Sequence, residues 1–151
     1  MSEANPKRVL FVCIGNSCRS QMAEAFARMY GSDVIVPASA GLAPAMGVAP
    51  DTIKAMDAKG IDLRDQFPKS IRHLGRSQFE IVVNMSGMEL PPMAGAEVRE
   101  WDVPDPVYLK FDEHCQVRDA IEHMVMTLIL ELRQNQRKAP LDRARHKEAA
   151  E

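Results

Sequence analysis

The sequence predicts a single-domain α/β protein built on a parallel sheet. Its 151 residues, of which 46% are hydrophobic, are enough for one core and too few for two. Short apolar runs alternate along the chain with segments whose apolar residues recur at helical spacing. This alternation is typical of β-α-β units, in which right-handed crossovers make successive strands parallel.

The first predicted strand is Val9–Val12, an apolar run without polar alternation that suits burial on both faces. A helix with a stop at Gly31 follows it, and a second strand begins at Val34–Val36 and continues towards Ser39. The apolar positions of that helix, which we expect in the core, are Met22, Ala25, Phe26 and Met29.

The middle of the chain is predicted to hold one helix and two more strands. A long loop rich in proline, glycine and alanine leads to Pro50, after which a short helix ends near Gly60. The third strand is Phe79–Asn84. A weaker fourth strand lies within Val98–Val103 and is closed by the Pro-Asp-Pro sequence that starts at Pro104.

The last predicted helix, from about Phe111 to about Asn135, has the strongest pattern. Its apolar face is formed by Ile121, Val125, Leu128 and Leu132. Beyond it, Pro140 and a run of mixed charges predict a frayed or disordered end. We therefore divide the chain into a folded domain of residues 1–136 and a C-terminal tail of residues 137–151.

Composition excludes several kinds of partner. The 19 Lys and Arg residues against 21 Asp and Glu give a net charge of -2, which argues against a broad basic surface for nucleic acid. The longest uncharged stretch, Val34–Pro50, is interrupted by proline and glycine, so no membrane helix is predicted, and the start shows no signal peptide. Three cysteines are few for a disulfide scaffold, so we expect a cytoplasmic protein. The sequence makes no prediction of the oligomeric state.

The loop between the first strand and the first helix has the composition of an oxyanion site. Cys13 and Arg19 are separated by five residues, a length that lets backbone N–H groups turn inward around an anion. The guanidinium of Arg19 can hold two oxygens of a tetrahedral oxyanion. Such surroundings stabilise a thiolate, so we expect Cys13 to be a nucleophile at neutral pH. The predicted oxyanion-binding residues are Ile14, Gly15, Asn16, Ser17, Cys18, Arg19 and Ser20.

Individual loop residues have further expected roles. Gly15 and Asn16 tolerate the left-handed backbone that such a loop needs, and Ser17 or Ser20 can hydrogen-bond the thiolate or cap the helix. The alternative is a buried cysteine at a strand end, followed by an ordinary capped helix. A nucleotide-binding loop is disfavoured, because the lysine of a Gly-Lys-Ser/Thr sequence is missing.

Asp105 is the candidate general acid. It precedes Pro106, which keeps the chain extended, and it emerges at the same edge of the sheet as the Cys13 loop. A carboxylic acid there can protonate a departing oxygen and then, as a carboxylate, activate water. The alternatives are an ordinary turn aspartate and the rival carboxylate Asp102.

The segment Val12–Ser20 resembles the loop of the low-molecular-weight protein tyrosine phosphatases, and equally that of the arsenate reductases that share their fold. The similarity covers nearly the whole chain to about Leu132, through Gln21–Glu24, Ser39–Gly41, Gly60–Asp62, Asp105–Pro106 and Val117–Asp119. It implies a four-stranded parallel sheet with helices on both faces, in a catalytic domain that would be residues 1–136. It also implies roles: Cys13 as nucleophile, Arg19 as oxyanion clamp, Asp105 as general acid, Asn16 as brace of the loop and Ser20 as the residue that tunes the thiolate.

Phosphatase and reductase chemistry begin with the same step, since arsenate has the shape and charge of phosphate. A self-contained reductase of this family resembles the phosphatase plus two cysteines between the third and fourth strands, and residues 84–92 contain none. We therefore predict a protein tyrosine phosphatase that acts on phosphotyrosine-bearing proteins through a phosphocysteine, without a cofactor. Tyr108 matches one of the two aromatic residues that usually follow Asp-Pro in phosphatases and is the expected substrate wall, whereas Val107 replaces the other.

Two alternatives to a phosphatase remain open. Gln66 and the stretch around Trp101 are reductase-like, and an arsenate reductase that uses an external thiol needs only Cys13. Its substrate would be a small oxyanion. The other alternative is an inactive oxyanion-binding module. We predict no metal site, although four side chains are of zinc-ligand type: Cys13, Cys18, His114 and Cys115.

Cys18 is the expected redox partner of Cys13. Both residues belong to one tight loop, and a disulfide needs Cα atoms within about 7 Å of each other. We predict that peroxide inactivates the protein reversibly through a Cys13–Cys18 disulfide. The alternative is that Cys18 merely packs beneath the loop.

Overall fold

Four parallel strands form the centre of the fold. The computed structural model describes residues 5–74 and 78–150 and, from residue 139 on, the backbone alone. The strands are β1 (Lys7–Cys13), β2 (Ile35–Gly41), β3 (Ile81–Asn84) and β4 (Glu97–Glu100). Every neighbouring pair is parallel, in the spatial order β2-β1-β3-β4. The predicted single-domain α/β fold with a four-stranded parallel sheet is confirmed.

Three α-helices pack with this sheet: α1 (Arg19–Gly31), α2 (Pro50–Asp57) and α3 (Phe111–Ala150). They share one hydrophobic core with Val9 and Phe11 of β1. Leu10 and Val12 of β1 face the opposite side, which the 3₁₀-helix Ile71–Leu74 and neighbouring loops cover. β1 is therefore buried on both faces, as its unbroken apolar run predicts.

Helix α1 buries its predicted face except in the last turn. Its other predicted core residues are buried, but Met29 is 54% exposed, so the predicted core position of Met29 is wrong. At this end of the helix Gly31 lies against α3, where a Cβ atom on Gly31 would be 2.6 Å from Cγ1 of Ile129. The close contact between the two helices is thus made at Gly31, and Met29 turns to solvent.

The strands on the β4 side are shorter than predicted. β3 begins at Ile81 instead of Phe79, and β4 ends at Glu100 instead of Val103. The chain leaves the ladder after Glu100, and the carbonyl of Val103 instead accepts a hydrogen bond from Arg19. Because β4 is an edge strand with mostly exposed side chains, its pattern in the sequence is weak.

Helix α3 is longer than predicted. Its apolar face is buried as expected up to Leu132, but the backbone stays helical to Ala150, so the predicted end near Asn135 is wrong. The residues after 136, although they include Pro140, are rich in Ala, Arg, Lys and Glu, which have high helix propensity. That the tail 137–151 frays in solution and lies outside a catalytic domain of residues 1–136 stays a prediction. Within the described ranges, no helix is long and apolar enough to cross a membrane.

Candidate active site

The loop that is predicted to bind an oxyanion joins β1 to α1 and is called the oxyanion loop below. Its backbone carbonyl groups form hydrogen bonds on the outer side of the loop. The carbonyl oxygens of Cys13, Ile14, Gly15 and Ser17 each accept a hydrogen bond of 2.8–3.1 Å from a backbone N–H group of the segment 42–49. In a trans peptide the C=O and the following N–H point in opposite directions. The N–H groups of the residues that follow these carbonyls are therefore turned to the concave side of the loop, where an oxyanion is expected to bind.

A glycine lets the end of β2 approach this loop. A Cβ atom on Gly41 would lie 2.6 Å from the carbonyl oxygen of Ile14 and 2.9 Å from the backbone nitrogen of Asn16. Both distances are shorter than those of real Cβ contacts, so a larger residue would push the loop out of place. The glycine of the Ser39–Gly41 sequence therefore has a steric role beside the site.

Asn16 holds the loop in its curled form. Its φ of 50° is left-handed, a conformation that asparagine tolerates better than most residues. Its Nδ2 donates to Oγ of Ser20 at 2.7 Å, and its Oδ1 accepts from Nε2 of Gln21 and from the backbone nitrogen of Lys69, both at 3.0 Å. Gly15 does not lie in the left-handed region, so of the two residues that tolerate this conformation only Asn16 adopts it.

The thiol of Cys13 faces a hydroxyl group that can donate to it. Sγ of Cys13 is 2.9 Å from Oγ of Ser20, and both residues are buried. Because Oγ of Ser20 already accepts a hydrogen bond from Asn16, its own hydrogen is free to point at the sulfur. A thiolate on Cys13 would be stabilised by this bond. Ser17 instead lies with its hydroxyl 3.6 Å from the sulfur of Cys18, and no side chain caps helix α1.

Arg19 connects three loops at the carboxyl edge of the sheet. Its side chain is 6% exposed. Its Nη1 donates to the carbonyl oxygens of Met85 at 2.5 Å and Val103 at 3.0 Å. Its Nη2 lies 3.5 Å from Oδ2 of Asp105. The guanidinium is thus held by the loops after β3 and β4, while its Nη2 side faces the aspartate.

The structure brings Asp105 to this arginine. Asp105 caps the 3₁₀-helix Pro106–Tyr108, where its Oδ1 accepts from the backbone N–H of Val107 at 3.2 Å. Its side chain is 42% exposed, so it can exchange protons with water. The rival Asp102 is also exposed, but the ion pair with Arg19 is made by Asp105. The role of Asp105 as general acid stays a prediction.

Cys18 lies buried at the end of the loop, directly before α1. Burial raises the pKa of its thiol, and the nearby hydroxyls of Thr52 and Ser17 offset this only in part. The three cysteines of the chain are free thiols in the structure. The Cys13–Cys18 disulfide therefore stays a prediction.

The rim near Asp105 carries the predicted substrate wall. Tyr108 is 96% exposed and stands at the end of the short 3₁₀-helix, and its role towards a substrate stays a prediction. Trp101, directly after β4, is partly buried and packs at a tilt against Phe11, with ring centroids 6.0 Å apart. Trp101 is thus a core residue at the edge of the sheet.

Two glutamines brace the loop from the side of α1, a contact that the sequence did not predict. Nε2 of Gln21 donates to the backbone oxygen of Asn16 at 2.9 Å. Nε2 of Gln66 donates in turn to Oε1 of Gln21 at 2.5 Å. The reductase-like identity of Gln66 was the only signal of its importance, because the fold alone brings positions 21 and 66 together.

His114 is a second residue whose surroundings the sequence did not predict. Its Nε2 lies 2.9 Å from Oγ1 of Thr52, and both side chains are buried.

In residues 5–74 and 78–138, where side chains are described, no three His, Cys, Asp or Glu side chains are grouped as a metal site.

Comparison with known proteins gives matches over most of the chain. Residues 8–138 match the family model described as low molecular weight phosphotyrosine protein phosphatase. The chain is 33% identical to "Glutaredoxin arsenate reductase" of Synechocystis sp. over 130 residues, 83% of this chain and 98% of that protein. It is 37% identical to "Arsenate reductase 1" of Bacillus cereus over 121 residues, 78% of this chain and 90% of that protein.

Solved structures show the same similarity. A structure described as an arsenate reductase in the phosphate binding state superimposes with a TM-score of 0.77 and 33% identity, covering 83% of this chain and 98% of that chain. A low molecular weight protein tyrosine phosphatase from T. tengcongensis gives a TM-score of 0.69 at 24% identity, covering 83% of this chain and 99% of that chain, a likeness of fold alone.

These relatives overturn the prediction of a protein tyrosine phosphatase. The similar proteins at 33% and 37% identity are named arsenate reductases, and so is the structure with the TM-score of 0.77. The prediction was wrong because the absence of cysteines from residues 84–92 was given more weight than the reductase-like Gln66.

Family membership does not depend on that choice of reaction. The matched residues 8–138 extend from β1 well into α3 and include the oxyanion loop and Asp105. The expected relationship is thereby confirmed over most of the chain. The protein belongs to the low molecular weight phosphotyrosine protein phosphatase family.

Proposed function

We propose that this protein is an arsenate reductase in which Cys13 attacks arsenate and an external thiol completes the reduction. The observation that carries the proposal is that relatives named arsenate reductases are 33% and 37% identical to it over 98% and 90% of their length. The contacts of Cys13 with Ser20 and of Arg19 with Asp105 support it, because they gather a thiol, a cation and a carboxyl group at one edge of the sheet.

The first step is attack of the Cys13 thiolate on arsenic(V). An S–As bond forms and an As–O bond breaks, and Asp105 gives the departing oxygen the proton with which it leaves as water. The N–H groups of the loop and the guanidinium of Arg19 stabilise the negative oxygens that remain on arsenic.

In the second step a thiolate from outside attacks the sulfur of Cys13. An S–S bond forms as the S–As bond breaks, and the electron pair of the broken bond stays on arsenic, which leaves as arsenite. A further external thiol attacks the mixed disulfide and returns Cys13 to the thiolate. Over one cycle two external thiols are oxidised to a disulfide, arsenic gains two electrons, and one oxygen leaves as water.

An external thiol fits the placement of the chain's own cysteines. Besides Cys13 the chain has only Cys18 and Cys115, and residues 84–92 hold none. Burial raises the pKa of Cys18, which keeps it in the weakly nucleophilic thiol form at neutral pH. A cytoplasmic location, which the low cysteine content favours and which belongs to this proposal, would supply reducing thiols.

Arsenite formation is the measurement that tests the proposal. The purified protein is incubated with arsenate and either glutathione or dithiothreitol, and arsenite is quantified by chromatography with mass spectrometry. Hydrolysis of p-nitrophenyl phosphate is followed on the same preparation. We expect arsenite to form faster than with the thiol alone. Aryl phosphate hydrolysis without arsenite would contradict the proposal, and phosphate binding without either reaction would identify an inactive oxyanion-binding module.

Replacement of the candidate acid should slow the first step. We expect Asp105→Asn to lower kcat by about 10²-fold, the lower end of general acid catalysis, because a half-exposed carboxyl can be replaced in part by water. Phosphate should bind at least as tightly as to the wild type, since a negative charge next to Arg19 is removed. The matched control is Asp102→Asn. If that variant is the crippled one, the acid has been misassigned.

Cys18→Ala should keep arsenate reduction with an external thiol within about twofold of the wild type, because alanine keeps the backbone N–H of the loop.

We also propose that a Cys13–Cys18 disulfide protects Cys13 from irreversible oxidation, which the same variant tests. After peroxide, dithiothreitol should restore the wild type and not the variant, in which Cys13 is oxidised beyond the sulfenic acid. Loss of turnover in untreated Cys18→Ala would make Cys18 the second thiol, and full recovery after peroxide would exclude the disulfide. Cys115→Ala is the control.

A further inference from the structure

A buried amide side chain lies at the end of β3, directly before the loop that contacts Arg19. Asn84 is 1% exposed and is the last residue of the strand. Its Oδ1 accepts hydrogen bonds from the backbone nitrogen of Ser86 at 3.0 Å and from the hydroxyl of Ser86 at 2.6 Å. Its Nδ2 donates to the carbonyl oxygen of Met88 at 2.8 Å and to Oε1 of Glu100 at 3.2 Å. Both polar atoms of Asn84 therefore have partners, and three of the four bonds hold the turn after β3.

One of these bonds acts on the peptide group that holds Arg19. The carbonyl of Met85 and the N–H of Ser86 belong to the same peptide group, and in a trans peptide they point in opposite directions. The carbonyl oxygen accepts from Nη1 of Arg19 at 2.5 Å, and the N–H donates to Oδ1 of Asn84. The peptide group is thus held on one side by Arg19 and on the other by Asn84. A rotation that moves the oxygen away from Arg19 also breaks the bond to Asn84.

The second main-chain partner of Arg19 has no support of this kind. The carbonyl of Val103 also accepts from Nη1, at 3.0 Å. The next residue is Pro104, whose nitrogen carries no hydrogen, so no acceptor can hold that peptide group by its N–H. Of the two peptide groups that fix Nη1, the one after Met85 is therefore the one that a side chain orients.

We propose that Asn84 is a positioning residue for oxyanion binding, which orients the peptide group of Met85 and Ser86 so that the guanidinium of Arg19 faces the oxyanion. The inference rests on the proposed function, since the oxyanion to be held is arsenate, and phosphate serves as a probe of the same shape and charge. A guanidinium holds two oxygens only while its plane keeps its direction. A displacement of about 1 Å at a reacting group is enough to lower a rate by about 10²-fold.

Two variants of nearly equal size test whether the acceptor at position 84 matters. Threonine and valine both suit a strand, but only threonine has an oxygen that can accept from the N–H two residues further on. Both lose the bonds from Nδ2, so both should lower the Tm in thermal unfolding. We expect Asn84→Val to weaken binding of inorganic phosphate about 10-fold and to lower kcat/KM for arsenate by a similar factor. Asn84→Thr should stay within about threefold of the wild type in both.

Phosphate binding is measured by isothermal titration calorimetry, at a temperature where thermal unfolding shows each variant to be folded. Asn84→Ala and Asn84→Ser form a second pair that differs by one oxygen, and they replace the first pair if Asn84→Val does not fold. Ser86→Ala removes the hydroxyl bond to Oδ1 and keeps the backbone N–H, so it should lose no more than about threefold. Asn135→Val, at an exposed asparagine of α3, is the control.

A double variant tests whether Asn84 acts through Arg19. In an Arg19→Lys background, Asn84→Val should weaken phosphate binding by less than about a further twofold, because the guanidinium that it positions is already lost. Losses that multiply in the double variant would mean a general structural role and would overturn the proposal. Equal losses in Asn84→Val and Asn84→Thr, or a loss in Ser86→Ala as large as in Asn84→Val, would overturn it too.

Phosphate binding needs no turnover, so the two proposals can fail separately. If the wild type forms no arsenite while Asn84→Val and Asn84→Thr differ in phosphate binding as expected, the proposed function fails and the positioning role of Asn84 stands. If arsenite forms while the two variants bind phosphate alike, the positioning role fails and the proposed function stands. A wild type that binds no phosphate would overturn the positioning role, since Arg19 would then hold no oxyanion.

Discussion

Cys13→Ser should make arsenite formation undetectable while inorganic phosphate still binds. The hydroxyl of serine is not ionised at neutral pH, and no serine ester of arsenic can pass electrons to arsenic by forming a disulfide. The substitution is nearly isosteric, so the outward-bonded carbonyls and the N–H groups of the loop should keep their places. Arsenite is measured after incubation with arsenate and dithiothreitol, and phosphate binding by the fluorescence of Trp101.

The control for this variant is Cys115→Ser, which removes a thiol from α3 and leaves the loop untouched. It should reduce arsenate as the wild type does. If Cys13→Ser keeps more than about a tenth of the turnover, catalysis does not pass through a bond to Cys13.

Arg19→Lys should reduce kcat/KM by about 10³-fold. Loss of one oxyanion donor costs about 10²–10³-fold, and lysine replaces the two-pronged guanidinium with a single ammonium group. The carbonyls of Met85 and Val103, which both bond Nη1 in the wild type, would also compete for that ammonium. Phosphate affinity should fall in this variant, unlike in Cys13→Ser, because the clamp itself is damaged.

A surface arginine gives the matched control. Arg64 pairs with Asp57 and Asp62 on an exposed face, and Arg64→Lys should leave arsenite formation and phosphate affinity unchanged. An Arg19→Lys variant that binds phosphate normally would show that Arg19 does not hold the oxyanion.

The sequence was sufficient to predict the sheet and the loop, because each depends on residue types that lie close together in the chain. The unbroken apolar run of β1 requires burial on both faces. The thiol of Cys13 and the guanidinium of Arg19 belong to residues separated by only five positions in the chain. The partners of Arg19 could not be predicted in this way. They are main-chain carbonyls 66 and 84 residues away, and any residue type supplies a carbonyl.

The reaction was harder to predict than the site. Phosphatase and arsenate reductase need the same thiolate, the same clamp and the same acid in their first step, so the loop residues cannot separate them. The two reactions differ in the second step, in which water attacks in a phosphatase and a thiol attacks in a reductase, and a thiol from outside leaves no mark in the chain. The C-terminal end of α3 was also predicted wrongly. Beyond Leu132 the sequence has no apolar face to indicate a helix, and the helix is favoured there by the high helix propensity of its residues.

The bond between Arg19 and the carbonyl of Met85 has a consequence for how this family can change. The arginine holds the backbone of the loop after β3, and the side chains of that loop bond mainly among themselves, as Ser86 does with Asn84 at 2.6 Å. Side chains in residues 86–92 can therefore be exchanged without disturbing the clamp. If the proposed reduction of arsenate holds, we expect that a pair of cysteines introduced into this segment could supply the electrons from within the chain while the residues that hold the oxyanion stay unchanged.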